Sequence, residues 1–374
     1  MGLSVPDNMD TSSACELIRE GISSIVDGVR GLERLTLYVY GGAAQKGLLS
    51  VTIASTDSKL YIRSGLGVAA SRLLAEKMPS KIKEVTFGRH VSAADRRSVL
   101  EEVGAGREVG LVTVGEQYGA LDGWRSDSFP SIRGVAIVLS VPDGLEASAA
   151  AERIRDGISS IVSDVRGLER LTVDAYSGAG QQRSSSVTIA STDSELHIYS
   201  ALGVTVGRLL AEKMPSKVKE VMFEPTVSPE GRRSVLEGLG VEREVGTVRL
   251  TGPSVSLTEG ALDGWQSDNF PSIGHVRIGE AYTMDVEVPN NLEASAAAEL
   301  IHGGISSIVG GVRGLKCLTL RVRGSNAADA AIRQLLRTEV FAHFTIDTRE
   351  RRWRWGRNFR WSSYAIELTA TRRS

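Results

Sequence analysis

The sequence predicts an α/β protein built as a solenoid of strand-helix units. Three observations lead to this prediction: long stretches recur almost letter for letter, an apolar strand pattern recurs inside them at a shorter interval, and amphipathic helices fall between several of the strands. A strand that buries one face, followed by a helix that returns the chain to a parallel neighbour, is the unit of such a solenoid.

The long repeat is the clearest feature of the chain. The letters ISSIV begin at Ile22, Ile158 and Ile305, at offsets of 158 − 22 = 136 and 305 − 158 = 147, and SVTIASTDS and LLAEKMPSK each occur in the first two copies. The chain therefore contains two full copies of one unit and part of a third. The predicted division is 1–141 for the first copy, 142–288 for the second, 289–324 for the truncated third, and 325–374 for a divergent C-terminal cap or basic aromatic tail.

The shorter period is a strand pattern, L-x-x-L-x-L, whose last two apolar positions alternate and therefore point to one face of a β-strand. It first appears as Leu32, Leu35 and Leu37. Between the middle positions of successive patterns, most steps are roughly 25 to 28 residues long, which is within the range of repeats that hold one strand and one returning helix.

The predicted helices carry their apolar residues in one stripe. The first stripe consists of Ile18, Ile22, Ile25, Val26 and Val29, at the spacing i, i+4, i+7, i+8 and i+11, and it recurs within 154–165 and 301–312. Further helices are predicted at Gly67–Met78, Ala93–Val103, Gly203–Met214 and Pro229–Leu239. Each long copy thus alternates strands with helices.

In pattern and period the chain resembles the leucine-rich repeat family, in its helical, ribonuclease-inhibitor-like class, from about Leu32 to Ile346. The asparagine ladder of that family is absent, because the corresponding places hold residues such as Tyr40, Gly65 and His90. The resemblance implies parallel strands that line a concave face used for protein binding. The side chains expected on that face are Tyr38, Tyr61, Arg63, Asp174, His197, Tyr199, Glu224, Arg249, Arg277 and Arg321.

A second fold uses the same residues differently. Val51–Ile53 and Leu60–Ile62 flank a Ser-Thr-Asp-Ser stretch that is typical of a hairpin turn, and each copy would then be a compact α+β domain of about 136 residues in a tandem array. Segment Gly41–Asp57 decides between the two folds. The solenoid places Leu35 and Leu60 in adjacent parallel strands, whereas the alternative pairs the strand around Val51 antiparallel with the strand around Leu60.

Composition argues against several classes of protein. Lys and Arg number 44 against 45 Asp and Glu, which is too balanced for a typical nucleic-acid groove. Cys15 and Cys317 are the only cysteines, and neither is repeated in another copy, so neither a disulfide framework nor a cysteine metal site is expected. The start of the sequence lacks a basic region and an apolar core, and the expectation is a cytoplasmic protein without a membrane span.

Neither catalytic, cofactor-binding nor metal-binding residues are predicted. Where a histidine lies within the repeat, the equivalent position in the other copies holds another residue type. No histidine lies at ligand spacing from Cys or an acid. The five histidines are His90, His197, His275, His302 and His343. The protein is therefore not expected to be an enzyme, and no cofactor is assigned to it.

One loop recurs in both full copies, as GALDGWRSDSFPSI at Gly119–Ile132 and GALDGWQSDNFPSI at Gly260–Ile273. Its aromatic and acidic residues could bind a ligand. A buried Trp and Phe that fix a long loop explain the same residues more simply, and this structural interpretation is the one we adopt.

The C-terminal run has arginines interleaved with aromatic residues. Three interpretations stay open: two strands whose aromatics cap an exposed end of the core, a wrongly predicted end of the gene, or a patch that binds nucleic acid or an anionic surface. The residues of this candidate basic aromatic patch are Arg352, Trp353, Arg354, Trp355, Phe359, Arg360 and Trp361.

The function predicted from the sequence is a noncatalytic scaffold that binds another protein through its strand face. The alternative is a tandem array of α+β domains with an unidentified small-molecule or enzymatic role, and a distant third is nucleic-acid or anionic-surface binding by the Arg/Trp tail. The oligomeric state is left open.

Overall fold

The computed structural model of the chain contains two compact units, Met1–Arg183 (unit 1) and Ser184–Ser374 (unit 2). The structure describes residues 2–5, 9–28, 33–41, 46–54, 57–75, 78–115, 118–142, 144–177, 182–191, 193–211, 213–224, 226–251, 255–256, 260, 262–278, 286–287, 292–323, 330, 332–334, 336, 339–354 and 362–373. Both units combine helices with strands that are mostly parallel, so the predicted α/β class is confirmed.

Unit 1 alternates strands and helices along the chain. Its strands are β1 (Gly2–Val5), β2 (Arg34–Gly41), β3 (Lys46–Ala54), β4 (Lys59–Ile62), β5 (Lys81–Phe87), β6 (Glu108–Val114), β7 (Ser131–Val141) and β8 (Arg170–Ser177). Its helices are α1 (Thr11–Gly28), α2 (Gly65–Ala75), α3 (Ala93–Val103) and α4 (Ala147–Asp164). A 3-10 turn, Tyr118–Leu121, lies between β6 and β7.

The sheet of unit 1 has a parallel run and an antiparallel insertion. Strands β4 to β8 pair in chain order and all in parallel, and β1 pairs in parallel with β2. Strand β3 lies between β2 and β4 and is antiparallel to both, with Val51 opposite Leu37 on one side and opposite Leu60 on the other.

The expectation that Leu35 and Leu60 lie in adjacent parallel strands is therefore wrong, because β3 separates them. The physical reason is the length of the connection. Only four residues separate β3 from β4, whereas a parallel connection needs a crossover of a dozen residues or more. Each copy thus combines the meander of the α+β alternative with the strand-helix steps of the first prediction.

Unit 2 repeats this arrangement. Its first strand is β9 (Gln182–Ala190), of which the first two residues belong to unit 1. The other strands are β10 (Glu195–Ile198), β11 (Lys217–Phe223), β12 (Glu244–Leu250), β13 (Val255–Ser256), β14 (Ser272–Ile278), β15 (Val286–Glu287), β16 (Cys317–Arg323), β17 (Phe344–Arg354) and β18 (Ser362–Arg372). Its helices are α5 (Ala201–Ala211), α6 (Pro229–Leu239) and α7 (Ala294–Gly311). Helices α3 and α6 have the bounds that the sequence predicts.

The sheet of unit 2 contains a parallel run between antiparallel ends. Strand β9 is antiparallel to β10, and β10, β11, β12, β14 and β16 follow one another in parallel. Strand β18 is then antiparallel to both β16 and β17. The short strands β13 and β15 continue the parallel pattern beside β16.

The isoleucine stripes pack into the core. Ile154, Ile158 and Ile161 of α4 are at most 1% exposed, and α7 buries its equivalent residues to the same degree. Val162, which the sequence places in the same stripe, is 44% exposed. The stripe that packs is therefore narrower than predicted: it includes the i, i+4, i+7 and i+11 positions, the last being Val165 directly after α4, and leaves out i+8.

The divergent C-terminal region continues the sheet with β17 and β18, which form the predicted antiparallel strand pair. Ile366, Leu368 and Ala370 of β18 are buried. Arg352, Trp353 and Arg354 belong to β17, whereas Trp355, Phe359, Arg360 and Trp361 lie outside the described residues. None of the helices in the described part of the chain is long and apolar enough to cross a membrane.

Candidate functional site

Strand register aligns a row of side chains across each unit, on the opposite side from the apolar residues that the helices cover. We call this surface the polar face. In unit 1 it is centred on the row Tyr38, Ser50, Tyr61, Thr86, Thr113, Ala136 and Thr172, each opposite the next on the neighbouring strand. The residues between them along each strand, such as Leu60 and Ile62, are buried.

In unit 2 the equivalent row has different chemistry. It consists of Ser186, His197, Met222, Arg249, Arg277, Thr319, Thr369 and Asp347. A second row runs beside it and consists of Thr188, Glu195, Glu220, Thr247, His275, Cys317, Thr371 and Thr345. The central row of unit 2 thus carries charged side chains where that of unit 1 is mostly hydroxyl and aromatic.

The residues predicted for the strand face fall into two groups. Tyr38 and Tyr61 lie in the central row of unit 1, and His197, Arg249 and Arg277 lie in that of unit 2. The others are in neighbouring positions along the same strands or directly after a strand: Arg63, Asp174, Tyr199, Glu224 and Arg321. Of these, Arg321 is only 4% exposed, so it contributes little to the accessible surface.

Tyrosines dominate one end of the polar face in unit 1. Tyr38 is 46% exposed and Tyr40 is 36% exposed, both unusually high for large aromatic residues on a strand. The guanidinium of Arg63 lies 4.6 Å from the ring centre of Tyr61. These side chains line a depression of about 520 Å³. Tyrosine supplies large contact area at a low cost in conformational entropy, which is typical of binding surfaces.

Ion pairs connect three strands of unit 2. The Glu220 carboxylate lies 3.0 Å from Nη2 of Arg249 and 3.6 Å from Nε2 of His197. Glu195 pairs with Lys219 at 2.6 Å. The neighbouring polar group of His197 and the charge of Arg249 lower the pKa of Glu220 below its ordinary value. This carboxylate therefore stays ionised beside the Arg249 guanidinium and the His197 ring.

Two further ionisable groups on this face have shifted pKa values. His275 forms a hydrogen bond of 3.0 Å through Nε2 with the Thr319 hydroxyl, and burial together with Arg277 and Arg249 lowers its pKa below 6.5. Burial alone raises the pKa of Glu224 above 4.5. Burial is the largest cause of the lowered pKa of His275, and the positive charges of Arg277 and Arg249 add to it.

The remaining histidines do not form a site with one another in the described structure. His90 accepts a hydrogen bond from Arg89, and His343 is exposed. Cys317 lies 3.9 Å from the Thr371 hydroxyl. Among the residues that the structure describes, no group of three His, Cys, Asp or Glu side chains could hold a metal ion.

Buried aromatic residues fix the repeated loop in both copies, as the structural interpretation of its sequence predicted. Trp124 and Phe129 are 2% and 5% exposed, and Trp265 and Phe270 are 1% exposed. The Trp124 indole donates a 2.9 Å hydrogen bond to the Ala120 carbonyl.

Sequence reasoning missed a buried arginine that holds this loop. Arg96 is 1% exposed and donates hydrogen bonds to the carbonyl oxygens of Gly119, Ala120 and Asp122, and burial lowers its pKa to about 10. Arg232 does the same in unit 2, with bonds to Gly260 and Asp263. The signal was present, because each arginine occupies an i position of an apolar helix stripe.

Comparison of the chain with models of protein families, with curated proteins and with solved structures finds no significant match.

Proposed function

We propose that the protein is a noncatalytic scaffold that binds another protein through the polar face of its sheets, in the manner of a leucine-rich repeat protein. The parallel runs β4 to β8 and β10 to β16 support this proposal, because they repeat the strand-helix step of that family. The antiparallel strands β3 and β9 are additions to that step.

The observation that carries the proposal is where the two copies differ. Their buried strand positions hold the same or similar residues, as Val85 and Val221, or Phe87 and Phe223, show. At the polar face the equivalent pairs are Tyr61 and His197, Thr86 and Met222, Thr113 and Arg249, and Ala136 and Arg277. The framework is retained, and the face is changed at these four positions, while other positions of the face, such as Ser50 and Ser186, keep the same residue.

Divergence between the copies is not confined to the polar face. On the helix and loop side some exposed residues are the same in both copies, as Arg97 and Arg233 are, whereas others differ, as Arg125 and Gln266 do. The kind of change on the polar face is what supports its specialisation: two neighbouring positions of the central row, Thr and Ala in the first copy, both become arginine in the second.

The residue types on the polar face are suited to a protein partner. Tyrosine and arginine are enriched in protein interfaces and supply much of their binding energy. The face of unit 2 carries both signs of charge, with acidic groups beside the arginines. A surface of mixed sign discriminates between protein partners by charge pattern.

Site-specific photocrosslinking tests the proposal. A photoreactive phenylalanine derivative is placed at Tyr61 or at Met222 on the polar face, and as a control at Arg97 or Arg233 on the helix side. Each variant is irradiated in the cells that produce the protein, and crosslinked species are identified by mass spectrometry. We expect one protein to crosslink from the face positions and not from the control positions.

The identified partner is then purified and its affinity is measured by calorimetry. Exchange of Tyr61→Ala or Arg249→Thr should weaken binding at least about tenfold, as the loss of a central interface residue does. Arg233→Gln should change affinity less than about twofold. Crosslinks only from the helix side, or affinity that is unchanged by the face variants, would overturn the proposal.

A further inference from the structure

The two central arginines of unit 2 form an unusual pair. Arg249 of β12 and Arg277 of β14 are direct partners in a parallel pair of strands, so their Cα atoms lie about 5 Å apart. Like charges directly opposite each other on a sheet are destabilising. The unit carries this pair although the fold does not require it, because the first copy has Thr113 and Ala136 at these positions on the same framework.

One carboxylate of this face lies between the Arg249 guanidinium and the His197 ring. Glu220 pairs with Arg249 at 3.0 Å, and the same carboxylate also lies 3.6 Å from His197. His275, close to Arg277 along β14, experiences the positive charge of Arg277 and Arg249. The positive potential that these groups create lies over β12 and β14.

We propose that Arg249 and Arg277, with His275 beside them, bind a carboxylate-rich segment of the partner protein. This inference rests on the proposed function and names the chemistry of the partner. The planar guanidinium groups present paired donors that match a carboxylate, and two of them side by side can hold successive acidic residues of an extended segment.

The surroundings of the arginines favour a short acidic peptide over a nucleic acid. Glu195, Glu220 and Glu224 lie on one side of the pair. Asp347 ends the central row on the other side. A long phosphate backbone that crosses the arginines would meet these acids, whereas a short segment with a few carboxylates fits between them. Threonines at 247, 319 and 369 provide a neutral floor around the arginines.

Binding should be coupled to protonation of His275. The groups that face this ring are Arg277 on its own strand, Thr247 and Arg249 on β12, and Thr319 and Cys317 on β16. A carboxylate brought to the arginines offsets their charge, which lowers the pKa of His275 in addition to burial, and so raises that pKa. The ring then takes up a proton on binding, so affinity rises as the pH falls through the range of histidine.

The test uses the full chain and a fluorescent octapeptide of alternating Asp and Glu, with an Asn/Gln octapeptide as the uncharged control. Anisotropy titrations at pH 5.8 and pH 7.5 give the affinities. We expect binding of the acidic peptide only, and tighter binding at pH 5.8. The double exchange of Arg249→Thr and Arg277→Ala should weaken binding at least about tenfold. The variant places first-copy residues on an unchanged framework, and a melting curve verifies that it is folded.

Three controls make the result specific. Arg233→Gln removes an exposed helix arginine and should leave affinity within about twofold. Arg249→Lys with Arg277→Lys keeps the charge but loses the planar donors, and it should bind with intermediate affinity. His275→Gln should abolish the difference between the two pH values.

Absent binding of the acidic peptide, equal binding by the arginine-free variant, or tighter binding of a single-stranded oligonucleotide of equal charge would each overturn this inference. Photocrosslinking to a protein from the polar face would still support the proposed function in those cases, so the two failures are distinguishable.

Discussion

The guanidinium of Arg96 lies 5.6 Å from the ring centre of Trp124, while the same group donates to three carbonyl oxygens of the loop that contains Trp124. One buried cation thus provides the hydrogen bonds that water would otherwise give to the carbonyl oxygens of this loop, which is not paired with a strand. The loop is held by this contact from α3, which lies one strand-helix step earlier in the chain.

Exchange of Arg96→Met should therefore destabilise the protein although methionine fills much of the same volume. Each carbonyl group loses the bond from Arg96, although Ala120 keeps its bond from the Trp124 indole and Gly119 its bond from the Asp122 amide, and the free energy of unfolding should fall by about 1–3 kcal/mol. Urea denaturation measures this change. The matched control is Arg97→Met, an exposed neighbour on the same helix, which should change stability by less than about 0.5 kcal/mol. Equal losses for the two variants would show that the carbonyl contacts contribute nothing.

Each isoleucine helix has a glycine near its middle. Close packing requires this glycine only in α4 and α7, which follow the repeated loop. A Cβ at Gly157 would lie 2.6 Å from Cβ of Leu121, and one at Gly304 would lie 2.3 Å from Cβ of Leu262, whereas Gly21 has nothing within 4 Å. Gly157→Ala should thus cost about 1–3 kcal/mol through overpacking. Gly21→Ala should instead stabilise by about 0.5–1 kcal/mol, because alanine favours the helix. Thermal unfolding compares the two, and the same sign for both would contradict the packing argument.

The isoleucine stripe offers a test of helix orientation. Ile158 is 0% exposed, and Ile158→Ala should lower the free energy of unfolding by about 2–5 kcal/mol. Val162 is one turn further along α4 and 44% exposed, so Val162→Ala should have little effect. A loss below about 0.5 kcal/mol at Ile158 would show that the helix presents a different face to the core.

The carboxylates of Glu220 and Glu224 should change the pH dependence of the free energy of unfolding in opposite directions. The pKa of Glu220 is lowered by His197 and Arg249, so its contribution is present above about pH 4.5 and is lost as the pH falls through the lowered pKa. The pKa of Glu224 is raised by burial, so its contribution is present below about pH 4.5 and is lost as the pH rises through the raised pKa.

Glu220→Gln should accordingly destabilise the protein at pH 7, and Glu224→Gln should stabilise it at the same pH. Both differences should disappear in acid. Urea titrations of the two variants between pH 3.5 and pH 7.5 provide the measurement, and a Glu224→Gln variant that is less stable at pH 7 would refute the assignment of burial as the cause.

The parts of the fold that could be predicted from the sequence are those that depend on local periodicity. The L-x-x-L-x-L pattern located the parallel strands, since the positions of Val85 and Phe87 need only alternate to be recognised. Strand β3 was harder to place, because strand order depends on how far the chain travels between elements and not on the strand's own residues. The four-residue connection to β4 carried that information.

The candidate site was predictable only in part, for a similar reason. Positions of the polar face follow from alternation, but the pairing of Arg249 with Arg277 depends on register between β12 and β14, which the repeated loop separates in the chain. The role of Arg96 depends on carbonyl groups that follow the next strand, β6. A rule that assigns arginine to the surface fails where a loop supplies acceptors inside the protein.

The meander has a consequence for how the chain finds its fold. Residues 50–58 and 186–194 are identical, so during folding β4 meets two copies of its partner, one across the four-residue turn and the other in the second long copy. Over the identical residues chemistry cannot distinguish the two copies, and only the first residues of the strands, such as Leu49 and Ser185, differ. Closing the longer loop costs about 3 kcal/mol more entropy, since the cost grows with the logarithm of loop length. The short turn therefore favours strand pairing within one copy, so that a duplicated sequence can fold without exchanging strands between its copies. An insertion in the turn would reduce this preference.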